Sequence, residues 1–255
     1  MPYFEWSGRR LFYRERGKGE LLLVLPGNTA SSACHDGELA HWSNRYHVAS
    51  LDYLGTGRSE RVSVWADDWY EQGAHQAAAL VEHLGYSTFT VMGTSGGAVV
   101  ALLLAALYPA RVRAVIADSF GERFPKERVQ AHLIEDRAQR TPGQVAFWES
   151  AHGADWEHVV EADTDMLVRL AERGGDWFAG RLGQVRCPVL LTASREDELA
   201  PDAGRQALAV AEQIADCRVY VHSVGEHPLM WSRPCEFRAL SDCFVGSVFE
   251  FSQKE

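Results

Sequence analysis

The chain alternates short apolar runs with longer segments whose apolar residues recur at helical spacing. The short runs are rich in β-branched, aromatic or leucine side chains and predict strands at residues 4–6, 10–14, 21–25, 46–51, 89–92, 112–117, 187–193 and 218–221. The longer segments predict helices at residues 31–42, 67–84, 98–108, 201–214 and 234–249. Strands that alternate with helices indicate an α/β protein with an eight-stranded, mostly parallel, doubly wound sheet that binds ligands at its carboxyl edge.

One segment interrupts this alternation. Residues 122–186 contain no strand-like run and carry apolar and aromatic residues at helical spacing. We therefore expect a helical cap at 122–186, inserted after the sixth strand into a core of residues 1–121 and 187–255. Within it, residues 149–165 carry six acidic side chains and no Lys or Arg, which indicates either a solvated acidic face or a site favouring a cationic ester.

A strand, a tight turn and a helix meet at Gly93-Thr94-Ser95-Gly96-Gly97. Two interpretations fit this Gly-x-Ser-x-Gly pattern. Ser95 could simply cap the following helix, or it could be a nucleophile held on a strained turn at the edge of the sheet. The strand before the turn and the Ala/Leu-rich helix after it favour the nucleophile.

The composition limits the kinds of molecule that the protein is expected to bind. The 255 residues are 46% hydrophobic and 24% charged, with a net charge of −10, which argues against nucleic acid or an anionic membrane as partner. Residues 1–5 lack the basic start of a signal peptide, and the apolar run at 98–108 is too short to span a bilayer, so we expect a cytoplasmic protein. The five cysteines include no Cys-x-x-Cys pair and predict reduced, mostly buried thiols, with no metal site.

Five short motifs follow the predicted strands in a fixed order: Pro26-Gly27-Asn28, Asp52-x-x-Gly55-x-Gly57-x-Ser59, Gly93-x-Ser95-x-Gly97, Asp197-x-x-x-Pro201 and Gly225-Glu226-His227. Together they resemble the α/β-hydrolase fold family across nearly the whole chain except the cap. Pro26 stands where the family usually has histidine. The cap and the chain length are most similar to small-molecule esterases, including the amino-acid-ester (valacyclovirase-like) branch.

A serine nucleophile needs a base, and a carboxylate must orient that base. His227, in a loop after the last strand, is the predicted base among ten histidines. His35 could also reach the site, although a helix surface is expected for it, and His152 and six other histidines without a motif are expected to be solvated. The resemblance implies Asp197 as the acid, while Asp118 stays open as the acid position of some family members.

The remaining predictions concern the substrate. The backbone N–H groups of Asn28 and Gly96 are the expected oxyanion donors. Side chains that could line the pocket are Phe120, Trp148, Met230 and Trp231. We expect ester hydrolysis of a small molecule with no metal or organic cofactor, by a monomer or homodimer. Carbon–carbon or amide hydrolysis, cofactor-free peroxidation and a non-turnover binding protein remain alternatives, because the fold does not choose among them.

Overall fold

Eight strands form one mostly parallel sheet in the computed structural model, which describes residues 2–200 and 202–252. The spatial order is β1-β2-β4-β3-β5-β6-β7-β8. Strand β2 pairs antiparallel with both β1 and β4, and all the other neighbours are parallel. The strands are β1 Tyr3–Trp6, β2 Arg9–Arg16, β3 Leu21–Leu25, β4 His47–Leu51, β5 Phe89–Thr94, β6 Val112–Asp118, β7 Val189–Ser194 and β8 Cys217–His222. The predicted α/β sheet is thereby confirmed.

Helices cover both faces of this sheet. They are α1 Asp36–Trp42, α2 Trp69–His83, α3 Gly96–Leu107, α4 Asp136–Ala138, α5 Pro142–His152, α6 Trp156–Glu172, α7 Ala203–Ala211, α8 Leu229–Ser232 and α9 Pro234–Ser252. A 3₁₀ turn at Ser32–His35 precedes α1, and Pro201 of the predicted helix 201–214 lies outside the described residues.

The apolar core has two halves, one on each face of the sheet. In β3, Leu21, Leu23 and Leu25 pack with the helices α2 and α3, whereas Leu22 and Val24 pack with α1 and α9. This alternation is the two-residue period of a strand buried on both faces. Eleven of the twelve residues of α3 are buried. The helix that follows Ser95 is therefore held firmly against the sheet.

The segment between β6 and β7 is helical. It contains the 3₁₀ turns Lys126–Arg128 and Leu182–Gln184, a π-helical turn Gln130–Glu135, and α4 to α6. A β-bridge between Arg123 and Asp176 joins the two ends of the segment. We propose that residues 122–186 form a cap, and we use that name for them below.

Several acidic side chains of the stretch 149–165 form ion pairs with arginines that lie outside it. Asp155 pairs with Arg61, Glu157 with Arg140, and Asp163 with Arg137. The Asp163 side chain is fully buried, so the interpretation of the whole stretch as a solvated face is wrong at this residue. These ion pairs also weaken the idea of an uncompensated negative potential for a cationic ester.

All five cysteines are free thiols. Cys187 is buried, but Cys235 and Cys243 are exposed, so the expectation of mostly buried thiols is wrong. None of the helices at residues 2–200 and 202–252 combines the length and the hydropathy of a membrane span.

Candidate active site

Ser95 occupies a strained corner between β5 and α3. Its φ of 54° and ψ of −125° put a non-glycine residue at positive φ, a region that is costly for a side chain. The Ser95 N–H donates to Asp118 O at 2.8 Å, which fixes the corner to β6. The Ser95 side chain makes no capping bond to α3. The helix-cap interpretation is therefore wrong, and the hydroxyl is free to face the cavity described below.

The glycines of the motif are required by close backbone contacts. A Cβ on Gly93 would lie 2.1 Å from Gly97 O, and a Cβ on Gly97 would lie 2.2 Å from Leu25 O. Both distances are far below van der Waals contact, and backbone atoms cannot move away as a side-chain tip can. The sharp turn from strand to helix thus depends on the two missing side chains.

His227 is held by the carboxylate of Asp197. The distance from Nδ1 to Asp197 Oδ2 is 2.9 Å and to Oδ1 is 3.1 Å. Asp197 Oδ1 also accepts the N–H groups of Leu199 at 3.0 Å and Ala200 at 2.6 Å, so the buried carboxylate is anchored in its own loop. A carboxylate partner keeps the proton on Nδ1 and leaves Nε2 as the basic nitrogen.

Asp118 has a different set of partners. Its carboxylate accepts hydrogen bonds from Thr192 Oγ1 at 2.6 Å, Met230 N at 2.9 Å, Ser119 Oγ at 3.0 Å and Thr94 Oγ1 at 3.2 Å. Burial raises the pKa of Asp118 to about 6. These bonds tie β5, β6, β7 and α8 together, and in the described residues none of them involves His227. The geometry favours Asp197 as the residue that orients the base.

The loop that contains Gly27 and Asn28 lies close to Ser95 and Gly96. Gly96 is the first residue of α3, where an N–H has no acceptor within the helix. A carbon added at Gly96 would lie 3.2 Å from Asn28 N, and one added at Gly27 would lie 3.0 Å from Ser95 Cβ. The loop after β3 therefore lies against the turn that carries Ser95, and the role of Asn28 and Gly96 as oxyanion donors stays a prediction.

The side chain of Asn28 is fixed from two directions. Its Oδ1 accepts from Tyr70 OH at 2.9 Å, and its Nδ2 donates to Asp163 Oδ1 at 2.5 Å. Asp163 belongs to helix α6 of the cap and accepts from Arg137 Nη2 at 2.6 Å. Sequence reasoning missed Tyr70 and Asp163. A signal was present for Asp163, because it lies four residues after Val159 and so shares the buried face of α6.

His152 contacts the same loop from the end of α5. Its Nδ1 accepts the Gly57 N–H at 2.9 Å, so the ring is the neutral tautomer that donates from Nε2 to Thr29 O at 3.0 Å. Burial lowers the pKa of His152 to about 4. The prediction of a solvated His152 is wrong. The surface prediction for His35 is also wrong, because that ring is fully buried and its pKa is lowered to about 4.

A cavity of about 780 Å³ joins these groups. Ser95, His227, Asn28 and Gly96 line it, together with three of the predicted pocket residues, Phe120, Trp148 and Trp231. The fourth, Met230, does not line it. Met230 is fully buried in the core beneath the sheet edge, and the prediction of a pocket position for it is wrong.

The expected hydrogen bond between Ser95 and His227 is not formed in this structure. Ser95 and His227 face the same cavity, but Ser95 Oγ has no hydrogen bond to any of the described residues. Catalytic hydrogen bonds are often long before substrate binds. We expect the bond from Ser95 Oγ to His227 Nε2 to form when substrate binds.

No group of three or more His, Cys, Asp or Glu side chains within residues 2–200 and 202–252 is arranged to hold a metal ion. The predicted nucleophile, base, orienting acid and two backbone N–H donors all lie in or beside the cavity. This set is the one used for acyl transfer.

A sequence model of the α/β hydrolase fold matches residues 20–151. This range includes the turn at residues 93–97 that carries Ser95 (the elbow), the loop at residues 26–28 (called the oxyanion loop below) and Asp118. The chain belongs to the α/β hydrolase fold family. Solved structures agree with this α/β hydrolase architecture. An esterase from Thermogutta terrifontis superimposes with a TM-score of 0.77 at 20% identity, covering 97% of both chains. Est816, described as an N-acyl homoserine lactone degrading enzyme, gives 0.74 at 21% identity, covering 95% of this chain and 100% of its own.

Curated relatives of this α/β hydrolase are hydrolases by name. The human serine hydrolase BPHL is 24% identical over 246 residues, which cover 94% of this chain and 84% of BPHL. The putative carbamate hydrolase RutD of Azorhizobium caulinodans is 24% identical over 270 residues, covering 97% and 99%. These names support hydrolysis as the class of reaction and cover more than one type of bond.

Proposed function

We propose that the protein hydrolyses a small-molecule carboxylic ester through an acyl-enzyme on Ser95. The observation that carries this proposal is the position of Ser95, which sits at φ 54° on a strained elbow and faces the same cavity as the His227–Asp197 pair. Such an elbow presents the hydroxyl to substrate next to the positive end of a helix.

The reaction proceeds in two halves. As Ser95 Oγ attacks the carbonyl carbon, His227 Nε2 takes its proton, and Asp197 stabilises the imidazolium that results. The carbonyl oxygen becomes an oxyanion, which the N–H groups of Asn28 and Gly96 stabilise. The C–O bond to the alcohol then breaks, and His227 gives its proton to the leaving oxygen. In the second half, water loses a proton to His227 and attacks the acyl carbon. The bond from that carbon to Ser95 Oγ then breaks as His227 returns the proton to Oγ, which releases the acid and restores Ser95.

The same atoms could act on a carbamate or an amide. In that case His227 would protonate a leaving nitrogen instead of a leaving oxygen. The similarity to a putative carbamate hydrolase is the observation that supports this second candidate. A comparison of p-nitrophenyl esters with p-nitroanilides and carbamates of matched acyl chain separates the two.

The proposal is tested by turnover of p-nitrophenyl butyrate. Ser95→Ala and His227→Ala should each lower kcat by about 10⁴- to 10⁶-fold, because the nucleophile and base act as one unit. His222→Ala is a matched control, since this histidine ends β8 and does not line the cavity. Activity of Ser95→Ala within tenfold of wild type would overturn the assignment. A wild-type protein that binds these compounds without turnover would favour the binding-protein alternative.

A further inference from the structure

Arg128 is a cation inside the substrate cavity. It lies at the end of the 3₁₀ turn Lys126–Arg128 of the cap, and it lines the cavity together with Ser95 and His227. The residue is half-buried, and this burial lowers its pKa. A guanidinium that loses part of its water needs compensating partners.

The partners present are incomplete. Arg128 Nη2 donates to the carbonyl oxygen of Leu199, which fixes one side of the guanidinium beside the Asp197 loop. Its Nε is buried and has no hydrogen-bond partner among the described residues. Within those residues no carboxylate forms an ion pair with Arg128. The negative charge of Asp197 raises the pKa of Arg128, but this carboxylate already pairs with His227.

A second arginine of the cavity, Arg137, differs from Arg128 in having a carboxylate partner. Arg137 also lines the cavity, but it donates to Asp163 Oδ2 and Thr164 Oγ1 at 2.6 Å each. Its charge is matched by a buried carboxylate of the protein. Of these two cavity arginines, Arg128 is the one that lacks such a counter-ion in the described structure.

The acidic side chains of the cavity do not fill this role. Glu198 and Glu226 are exposed, and Glu198 accepts the His227 N–H. Asp136 accepts from Gln144 Nε2 at 3.2 Å. A negative group that reaches the interior next to Arg128 therefore has to come with the ligand.

We propose that Arg128 binds a carboxylate of the substrate, so that the preferred esters are anionic, such as a monoester of a dicarboxylic acid. This inference rests on the proposed ester hydrolysis and names its substrate class. A guanidinium matches a carboxylate through paired N–H donors, and Arg128 brings such a group to the wall of the cavity. The substrate charge is opposite to that of the cationic ester suggested by the acidic stretch 149–165.

The test compares two esters of similar length, mono(4-nitrophenyl) glutarate and 4-nitrophenyl pentanoate. For wild type we expect a higher kcat/KM on the glutarate. Arg128→Gln should lower kcat/KM on the glutarate by about 10- to 100-fold, the strength of a charged hydrogen bond, and change the pentanoate by less than about threefold. Arg128→Lys should fall between, because it keeps the charge but lacks the paired N–H donors of a guanidinium.

Arg123→Gln is the matched control, because it removes a charge from an exposed position of the cap outside the cavity. It should leave the ratio of the two esters unchanged. An equal loss on both esters in Arg128→Gln would show that Arg128 merely holds the Leu199 loop, and an unchanged glutarate rate would also overturn the proposal.

A binding measurement separates the failure of this inference from that of the proposed function. If wild type hydrolyses neither ester, ester hydrolysis is contradicted, and calorimetric titration of Ser95→Ala protein with glutarate still tests the subsite. Weakening of glutarate binding by at least tenfold on adding Arg128→Gln would support the subsite. The same affinity in both proteins, or no binding to either, would contradict it.

Discussion

The carboxyl edge of the sheet and the cap build the site in different ways. At the sheet edge, short loops are fixed by backbone groups, as where Ser95 N donates to Asp118 O and where Asp197 accepts two N–H groups of its own loop. The cap reaches the site through single side chains, with Asp163 on the Asn28 amide and Arg128 on Leu199 O. In the proposed mechanism the edge supplies the reacting groups, and the cap contacts the substrate and the loop of Asn28.

The largest loss of activity is expected at the sheet edge, where Asp197 and Asp118 are each replaced by asparagine. Asp197→Asn should lower kcat by about 10³- to 10⁴-fold, because the amide no longer holds His227 in the reactive tautomer. Asp118→Asn should cost far less activity per folded molecule. Its loss should appear in the free energy of unfolding, by about 1–3 kcal/mol, because four donors face that buried carboxylate.

Steady-state kinetics and urea unfolding of both variants measure the two effects. A full loss of activity in a well-folded Asp118→Asn protein, together with a mild effect in Asp197→Asn, would transfer the orienting role to Asp118.

A smaller effect tests whether the cap shapes the oxyanion hole. Asp163→Asn replaces the charged acceptor of Asn28 Nδ2, and we expect kcat to fall by about 10- to 100-fold with KM within about threefold. The reason is that the Asn28 N–H acts on charge that develops in the transition state, so its misplacement affects kcat more than binding.

Two variants control for loss of the ion pair. Arg137→Gln removes the counter-ion of Asp163 but keeps the acceptor for Asn28, so it should affect kcat less than Asp163→Asn does. Glu157→Gln breaks an exposed ion pair with Arg140 at the start of the same helix and should leave kinetics unchanged. If KM alone rises in Asp163→Asn, the residue acts on the substrate pocket and not on the oxyanion loop.

The sheet edge could be predicted from sequence because its signals are local. A strand, a turn with required glycines and a helix occupy consecutive residues, so Ser95 and the strands were identified within a few residues of their observed limits. The order of motifs then indicated Asp197 and His227, which the structure brings within 2.9 Å. Local patterns were sufficient for the strands and the turn, whereas the resemblance to the family was needed for Asp197.

The cap contacts could not be predicted in the same way. Asp163 meets Asn28 across 135 positions of sequence, and His152 meets Thr29 across 123, so no local pattern records either pair. Composition suggested an acidic surface where ion pairs to distant arginines are formed. Met230 shows the converse case, since proximity to His227 in sequence indicated the pocket while its side chain packs in the core.

Covalent labelling tests the central claim most directly. Reaction of the protein with a fluorophosphonate, followed by peptide mass spectrometry, should give one stoichiometric adduct on the peptide that contains Ser95. Ser95→Ala should abolish the adduct, and His227→Ala should slow its formation strongly, because the hydroxyl then lacks its base. Stoichiometric labelling at another residue, or no labelling of a folded wild-type protein, would contradict the assignment of Ser95 as the nucleophile.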